Sequence, residues 1–136
     1  MIALDTTAII DIFKGEEDIK KVLGGIKDEF VTTLINYQEI LFGLDLNDQG
    51  YKREIGYYDD FFQEVNILLH DKETAKEASK IFWNLKKQGR SIGRFDCMII
   101  GILLHNGVNK IITRNVKHFE NIKELKIITY WIVLRS

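Results

Sequence analysis

Three carboxylates in this chain stand where a solvated charge is not expected. Asp5 follows the apolar run Ile2-Ala3-Leu4 directly. Glu39 has Ile35 at i−4 and Phe42 at i+3, with Gly43 at i+4, so it shares a helical face with apolar neighbours. Asp96 opens the run Cys97-Met98-Ile99-Ile100-Gly101-Ile102-Leu103-Leu104, which is apolar on nearly all sides and reads as a buried helix. Each acid also has a purely structural reading. Asp5 suits a helix N-cap. Glu39 can sit at the edge of the apolar stripe and snorkel to water. Asp96 suits the first turn of a helix, where the dipole favours it and Ser91, Arg90 or Arg94 could satisfy it. Taken together they point to chemistry. Converging acids repel one another and are tolerated only when protonated or bound to a cation. Hard divalent ions, Mg²⁺ or Mn²⁺, accept carboxylate oxygens and keep several waters. Such ions bridge phosphates and turn water into a nucleophile in phosphodiester hydrolysis.

A further locus is Thr113-Arg114-Asn115. Asn115 either caps the short helix that carries Phe119, or joins Thr113 in lining the same pocket and orienting metal waters. His70, His105 and His118 show no paired metal spacing, and His118 lies nearest the proposed pocket. Cys97 reads as packing. Lys86, Lys87 and Arg90 complement the end of a long helix. Alternatively, Arg90 and Arg94 meet phosphates at the pocket rim. Tyr57 pairs with Phe61 and Tyr58 with Phe62 at i,i+4, spreading aromatics over a wide arc. That arc fits a satellite core, or an apolar groove for a partner helix or a second copy of the chain.

Elements must bring these residues together. Ile2–Leu4 reads as a short buried strand running into a helix over Thr6–Lys14 that Gly15 stops. A charged helix over Glu16–Ile26 follows, then a strand over Glu29–Thr32. Thr33 offers an N-cap for a helix reaching about Asn47. Asp48-Gln49-Gly50 is a turn, Tyr51–Gln63 a helix and Val65–Leu69 a strand. Long helices over Lys72–Gln88 and Arg94–Asn106 flank the polar loop Arg90–Gly93. A fourth strand over Lys110–Thr113, a short helix over Asn115–Glu120 and a fifth strand over Lys126–Thr129 complete the pattern. Tyr130–Leu134 is expected to extend the edge. Strands separated by helices imply a parallel α/β sheet with right-handed crossovers. Its ligand site is expected beyond the carboxyl ends of the strands, where Asp5 lies.

Composition narrows the options. A chain of 136 residues, 46% of them hydrophobic, predicts one domain, 1–136, with a real core. No apolar run is long enough to span a membrane. No basic, apolar leader precedes the first strand. The lone Cys97 argues for a reducing cytosol. Helix ends must be made without proline, by Gly and Asn, as at Gly43, Asn47, Gly89 and Asn106-Gly107. A formal net charge of −1 gives no support to binding nucleic acid through bulk positive charge. A polyanion would have to be held locally.

Four segments, in this order, resemble one known family. They are Leu4-Asp5-Thr6-Thr7-Ala8-Ile9-Ile10-Asp11, Thr33–Gly43, Asp96–Gly101 and Ile112–Phe119. The chain resembles PIN-domain ribonucleases, and more narrowly the VapC-type toxins of toxin–antitoxin pairs. The resemblance implies a three-layer α/β/α fold with a five-stranded parallel sheet in the order 3-2-1-4-5. It also implies Mg²⁺- or Mn²⁺-dependent endoribonuclease activity on an RNA substrate, a homodimer and a cognate antitoxin. Asp5, Glu39 and Asp96 carry over as the metal-site acids, and Thr6 and Thr113 as pocket residues. Where the family often has a fourth acid, this chain has Asn115, which puts a second tightly bound metal in question.

The competing classes are a PIN-like module that binds RNA or protein without cutting it, and an RNA-processing nuclease. A phospho-accepting receiver also begins with an acidic strand end, but needs an acid after the third strand and usually a Lys after the fifth. Here Asp71 reads as solvent-facing and Tyr130 follows the fifth strand. No Gly-rich phosphate loop with its Lys is present, which argues against a nucleotide hydrolase.

Overall fold

The computed structural model describes residues 1–130. Five parallel strands form one sheet: β1 (Ile2–Leu4), β2 (Phe30–Thr33), β3 (Asn66–Leu68), β4 (Lys110–Ile112) and β5 (Lys126–Ile128). Their order is β3-β2-β1-β4-β5, as the resemblance implied. In register, Ala3 stands beside both Val31 and Ile111, and Leu4 beside Ile112. The connections are α1 (Thr6–Phe13) and α2 (Glu17–Gly24), then α3 (Leu34–Phe42) and α4 (Lys52–Glu64), then α5 (Lys72–Lys87) and α6 (Arg94–His105), and finally α7 (Val116–Phe119).

Alternation along the strands divides the core in two. Ile2, Leu4 and Ile112 face a layer with Ala8, Ile9, Ile19 and Ile40 from α1, α2 and α3, against which Phe61 and Phe62 of α4 pack half-buried. Ala3, Val31 and Ile111 face the other layer, with Leu85, Ile99, Ile100, Leu103 and Phe119 from α5, α6 and α7. Helix α6 is buried along most of its length, as its all-round apolar pattern predicts. It packs on α5 so closely that a Cβ on Gly101 would lie 2.8 Å from the Ala78 backbone nitrogen.

Some boundaries differ from expectation. Helix α3 ends at Phe42 rather than near Asn47. Beyond Gly43, the Asp45 and Asp48 side chains accept hydrogen bonds from the backbone N–H groups of Asn47 and Gly50. Such local bonds offer the backbone an alternative to continuing the helix. Gly15 does end α1, in the left-handed region at φ 74°. Tyr130 does not extend β5. It is buried and donates a hydrogen bond from its hydroxyl to Asp11 Oδ2 at 2.5 Å. The rest of the expected edge extension, 131–134, lies outside the described residues.

Strand order creates the crevice. From β1 the chain winds through β2 to β3, then crosses back to β4 on the other side of β1. The carboxyl ends of β1 and β4 therefore flank a topological switch point, the usual place for a ligand in an open parallel sheet.

Candidate active site

Asp5 leaves β1 at that switch point and is 4% exposed. It occupies the N-cap position of α1, yet its side chain makes no capping hydrogen bond. Both carboxylate oxygens are engaged elsewhere. Asn36 Nδ2 donates to Oδ1 at 3.0 Å and Thr113 Oγ1 donates to Oδ2 at 2.6 Å. The capping alternative therefore fails, because the two donors pull the carboxylate away from the helix and into the crevice.

Asn36 is the residue that sequence reasoning missed. It is buried at the third position of α3, where Thr33 caps the helix by accepting from the Asn36 backbone N–H. Thr33 Oγ1 in turn donates to Asn36 Oδ1 at 2.7 Å. That reciprocal bond fixes the amide. Its nitrogen is left to donate to Asp5 and to Thr6 Oγ1, each at 3.0 Å. The Thr-x-x-Asn spacing after a strand was visible in the sequence, but its second partner was not.

Thr6 Oγ1 donates to Glu39 Oε1 at 2.7 Å. Glu39 thus turns toward the crevice rather than snorkelling away. Asp96 is met by none of the partners expected of it. His118 Nδ1 lies 2.9 Å from Asp96 Oδ2. Asp5, Glu39 and Asp96 line one cavity, with Thr6, Arg94, Asn115 and His118 also on its wall. Thr7, Gly93 and Phe95 complete the lining.

Asn115 stands at the N-cap of α7 but makes no side-chain cap, contrary to one of its two expected roles. Its backbone N–H donates to Thr113 Oγ1 at 2.9 Å. A clasp between exposed Arg114 and buried Asp11 braces this turn. Arg114 Nε is 2.9 Å from Asp11 Oδ2, and the Arg114 backbone N–H donates to Thr7 Oγ1 at 3.1 Å. The clasp ties the β4–α7 turn to α1 and so holds Thr113 against Asp5.

Other expectations separate. Arg94 is on the cavity wall, whereas Arg90 faces Asn121 at 3.5 Å in a different hollow. Tyr58, Phe61 and Phe62 are half-buried against the core, with Tyr58 tilted against Phe13 at 4.2 Å and Phe62 edge-on to Tyr37 at 5.0 Å. They pack as a satellite core against α1 and α3. Only Tyr57 of that group is largely exposed, at 58%. Cys97 is buried packing.

The electrostatics of the cavity follow from burial. Burial raises the pKa of Asp5 above the ordinary carboxylate range, with hydrogen bonds from Thr113, Thr6 and Asn36 opposing it. Glu39 is raised by burial first and then by the charges of Asp5 and Asp96. Asp96 is raised by burial and by Asp5, while His118 opposes the shift. Three mutually repelling carboxylates on one wall form a donor set whose chemistry fits a hard divalent cation. Among the described residues no three His, Cys, Asp or Glu side chains form a ready-made ligand cluster.

A raised carboxylate binds more protons folded than unfolded between its ordinary and its raised pKa. Stability therefore falls as pH rises through that window. Metal-free protein is expected to melt higher near about pH 5 than near about pH 7.5. Mn²⁺ at the higher pH should restore the midpoint. Differential scanning fluorimetry checks this, with Glu39→Gln expected to flatten the pH dependence. A metal-free midpoint that climbs with pH and ignores Mn²⁺ would contradict the electrostatic account.

The sequence profile of the PIN domain matches residues 2–125. The chain belongs to the PIN-domain family. This PIN domain is 33% identical over 129 residues to Ribonuclease VapC1 of Haemophilus influenzae strain R2866, covering 90% of this chain and 92% of that protein. It is 28% identical over 92 residues to the tRNA(fMet)-specific endonuclease VapC of Shigella flexneri, covering 68% of each. Its fold matches the VapBC-1 structure of nontypeable Haemophilus influenzae with a TM-score of 0.80 at 31% identity, over 95% of this chain and 98% of that one. VapBC2 of Rickettsia felis, in a structure bound to promoter DNA, shares the fold with a TM-score of 0.82 at 19% identity, over 97% of this chain and 100% of that one. Within its family, this PIN domain falls among the VapC proteins.

Proposed function

We propose that this PIN domain is a Mg²⁺- or Mn²⁺-dependent endoribonuclease, the toxin of a VapBC-type pair acting in the cytosol. The observation that carries the reading is the convergence of Asp5, Glu39 and Asp96 on one cavity wall at the switch point of the sheet. The VapC ribonucleases among its relatives support the substrate class.

The residues divide the work. Asp5 is held in one orientation by Asn36 and Thr113, so its oxygens are aimed before any ligand arrives. Asp5, Glu39 and Asp96 would hold the ion. When bound, it would neutralise phosphate charge and acidify a water. A carboxylate with a raised pKa, Glu39 or Asp96, suits accepting the proton of the attacking water. Thr6, Thr113 and Asn115 orient the polar wall around it. Arg94 on the rim offers a guanidinium to the phosphate.

Cleavage of RNA in Mn²⁺ should stop in excess EDTA and return when Mn²⁺ is restored, read by gel electrophoresis of labelled RNA. Transfer RNA is the first substrate to try, given the specificity named for the Shigella flexneri relative. Undiminished cleavage in EDTA would remove the metal from the reading. The amide of Asn115, where the family often has an acid, favours a second reading as a binding module. That module would retain RNA and yield no product.

A cognate antitoxin is the proposed partner, supported by the VapBC complexes that share this fold. Its apolar contacts fall to the exposed Phe42, Leu46 and Tyr57 rather than to the aromatics already packed on the core. A homodimer is the proposed assembly. Among the described residues no helix is long and apolar enough to cross a membrane.

A further inference from the structure

We propose that Phe82, Trp83 and Lys86 of α5 form a platform for an unpaired base of the RNA, adjoining the acid-lined cavity. The proposal rests on the nuclease reading for the identity of its ligand.

The three residues share one helix face, since 82 and 86 are one turn apart and 83 and 86 nearly so. Their geometry is defined. The Phe82 and Trp83 rings meet edge to face, with centroids 5.5 Å apart. Lys86 Nζ lies 5.0 Å from the Trp83 centroid and 5.7 Å from that of Phe82, within reach of a cation–π contact. Trp83 is nevertheless 54% exposed. Trp83 therefore presents an open aromatic surface with an ammonium group beside it, the two features on which a base can stack.

Two observations specify the occupant. The first is charge. Lys80 is paired with Glu77 at 3.4 Å, but residues 81–95 contain Lys86, Lys87, Arg90 and Arg94 and no acid, in a chain whose net charge is −1. A local cationic stretch with exposed aromatic faces matches a ligand carrying phosphates and π-surfaces. The second is continuity. The Arg94 guanidinium lies 6.0 Å from the Phe82 centroid, and Arg94 lines both the hollow beside Phe82 and the acid cavity. Phe95, on the cavity wall, is itself 48% exposed. A strand whose phosphate sits in the cavity is thus led past Arg94 toward Trp83. Duplex RNA hides its base faces, so the nucleotide received there is single-stranded.

The test uses the full chain in EDTA, so that no RNA is cut, and measures fluorescence anisotropy of a labelled single-stranded RNA. A duplex of the same sequence serves as the control. Trp83→Ala should raise the Kd for the single strand roughly 5- to 100-fold, the range expected for one lost stack. Trp83→Phe should recover most of the affinity, and duplex binding should change less. In a Trp131→Phe background, which leaves Trp83 as the sole tryptophan, RNA should quench the indole emission. Equal single-strand affinity for parent and Trp83→Ala would overturn the platform. So would a fall in oligomeric mass by light scattering that accounts for the lost binding, since it would assign the face to a second copy of the chain. A parent that binds through Trp83 but never cleaves would sink the nuclease reading and leave the platform standing. Cleavage that persists with unaltered affinity in Trp83→Ala would do the reverse.

Discussion

Asp5→Asn is expected to lower RNA cleavage by on the order of 1,000-fold or more while leaving the fold in place. The side chains are nearly isosteric, and the amide oxygen can still accept from Asn36 Nδ2, which lies 3.0 Å from Asp5 Oδ1. The amide nitrogen cannot accept from Thr113, so the 2.6 Å bond must be lost or reversed. A changed hydrogen bond costs about 1 kcal/mol. Removing a buried charge that Glu39 and Asp96 repel offsets part of that. The melting temperature should therefore move by only about 3 °C. The lost function would come from the negative potential that draws and holds a divalent ion. Single-turnover cleavage in Mn²⁺, paired with a thermal melt, separates the two effects. Parent-like cleavage by the variant would mean that the acid cavity is not where RNA is cut.

Gly101→Val is the substitution with the largest expected effect on stability. A Cβ at position 101 would lie 2.8 Å from the Ala78 backbone nitrogen and 3.0 Å from the Thr74 carbonyl oxygen. Both obstacles are backbone of α5, so no side-chain rotation relieves them. The helices must move apart at the α5–α6 seam, where Leu85, Ile99, Ile100 and Leu103 share one buried cluster. Overpacking of this kind costs about 1–3 kcal/mol, occasionally more. For Val at a backbone contact we expect about 3 kcal/mol or more, measured as a lower denaturant midpoint with the slope unchanged. An unaltered midpoint would show that α5 yields without penalty. Helix α6 also begins with Arg94 and Asp96, so the shift should carry into the cavity and weaken metal stabilisation in the variant.

Local signals made much of the fold legible before any contact was known. An apolar triplet running into an acid marked β1 and its carboxyl end. The Thr33 cap marked the start of α3, and an all-round apolar run marked α6 as buried. These are properties of neighbours three or four residues apart, which periodicity and capping report directly. The family resemblance supplied the strand order, and with it the expectation that the acids meet.

What lay across each buried face was settled only by the tertiary structure. Whether Asp5 caps a helix or points into a crevice depends on Thr113, 108 positions away, and on Asn36, 31 positions away. Asp96 takes His118 from α7 rather than the arginines beside it in the chain. Arg90 and Arg94 are four residues apart in the same basic stretch, yet only Arg94 lines the acid cavity. The physical reason is that periodicity tells a residue to turn inward but carries no information about its partner. That partner is chosen by strand order and by the crossover that brings the end of β4 beside the end of β1.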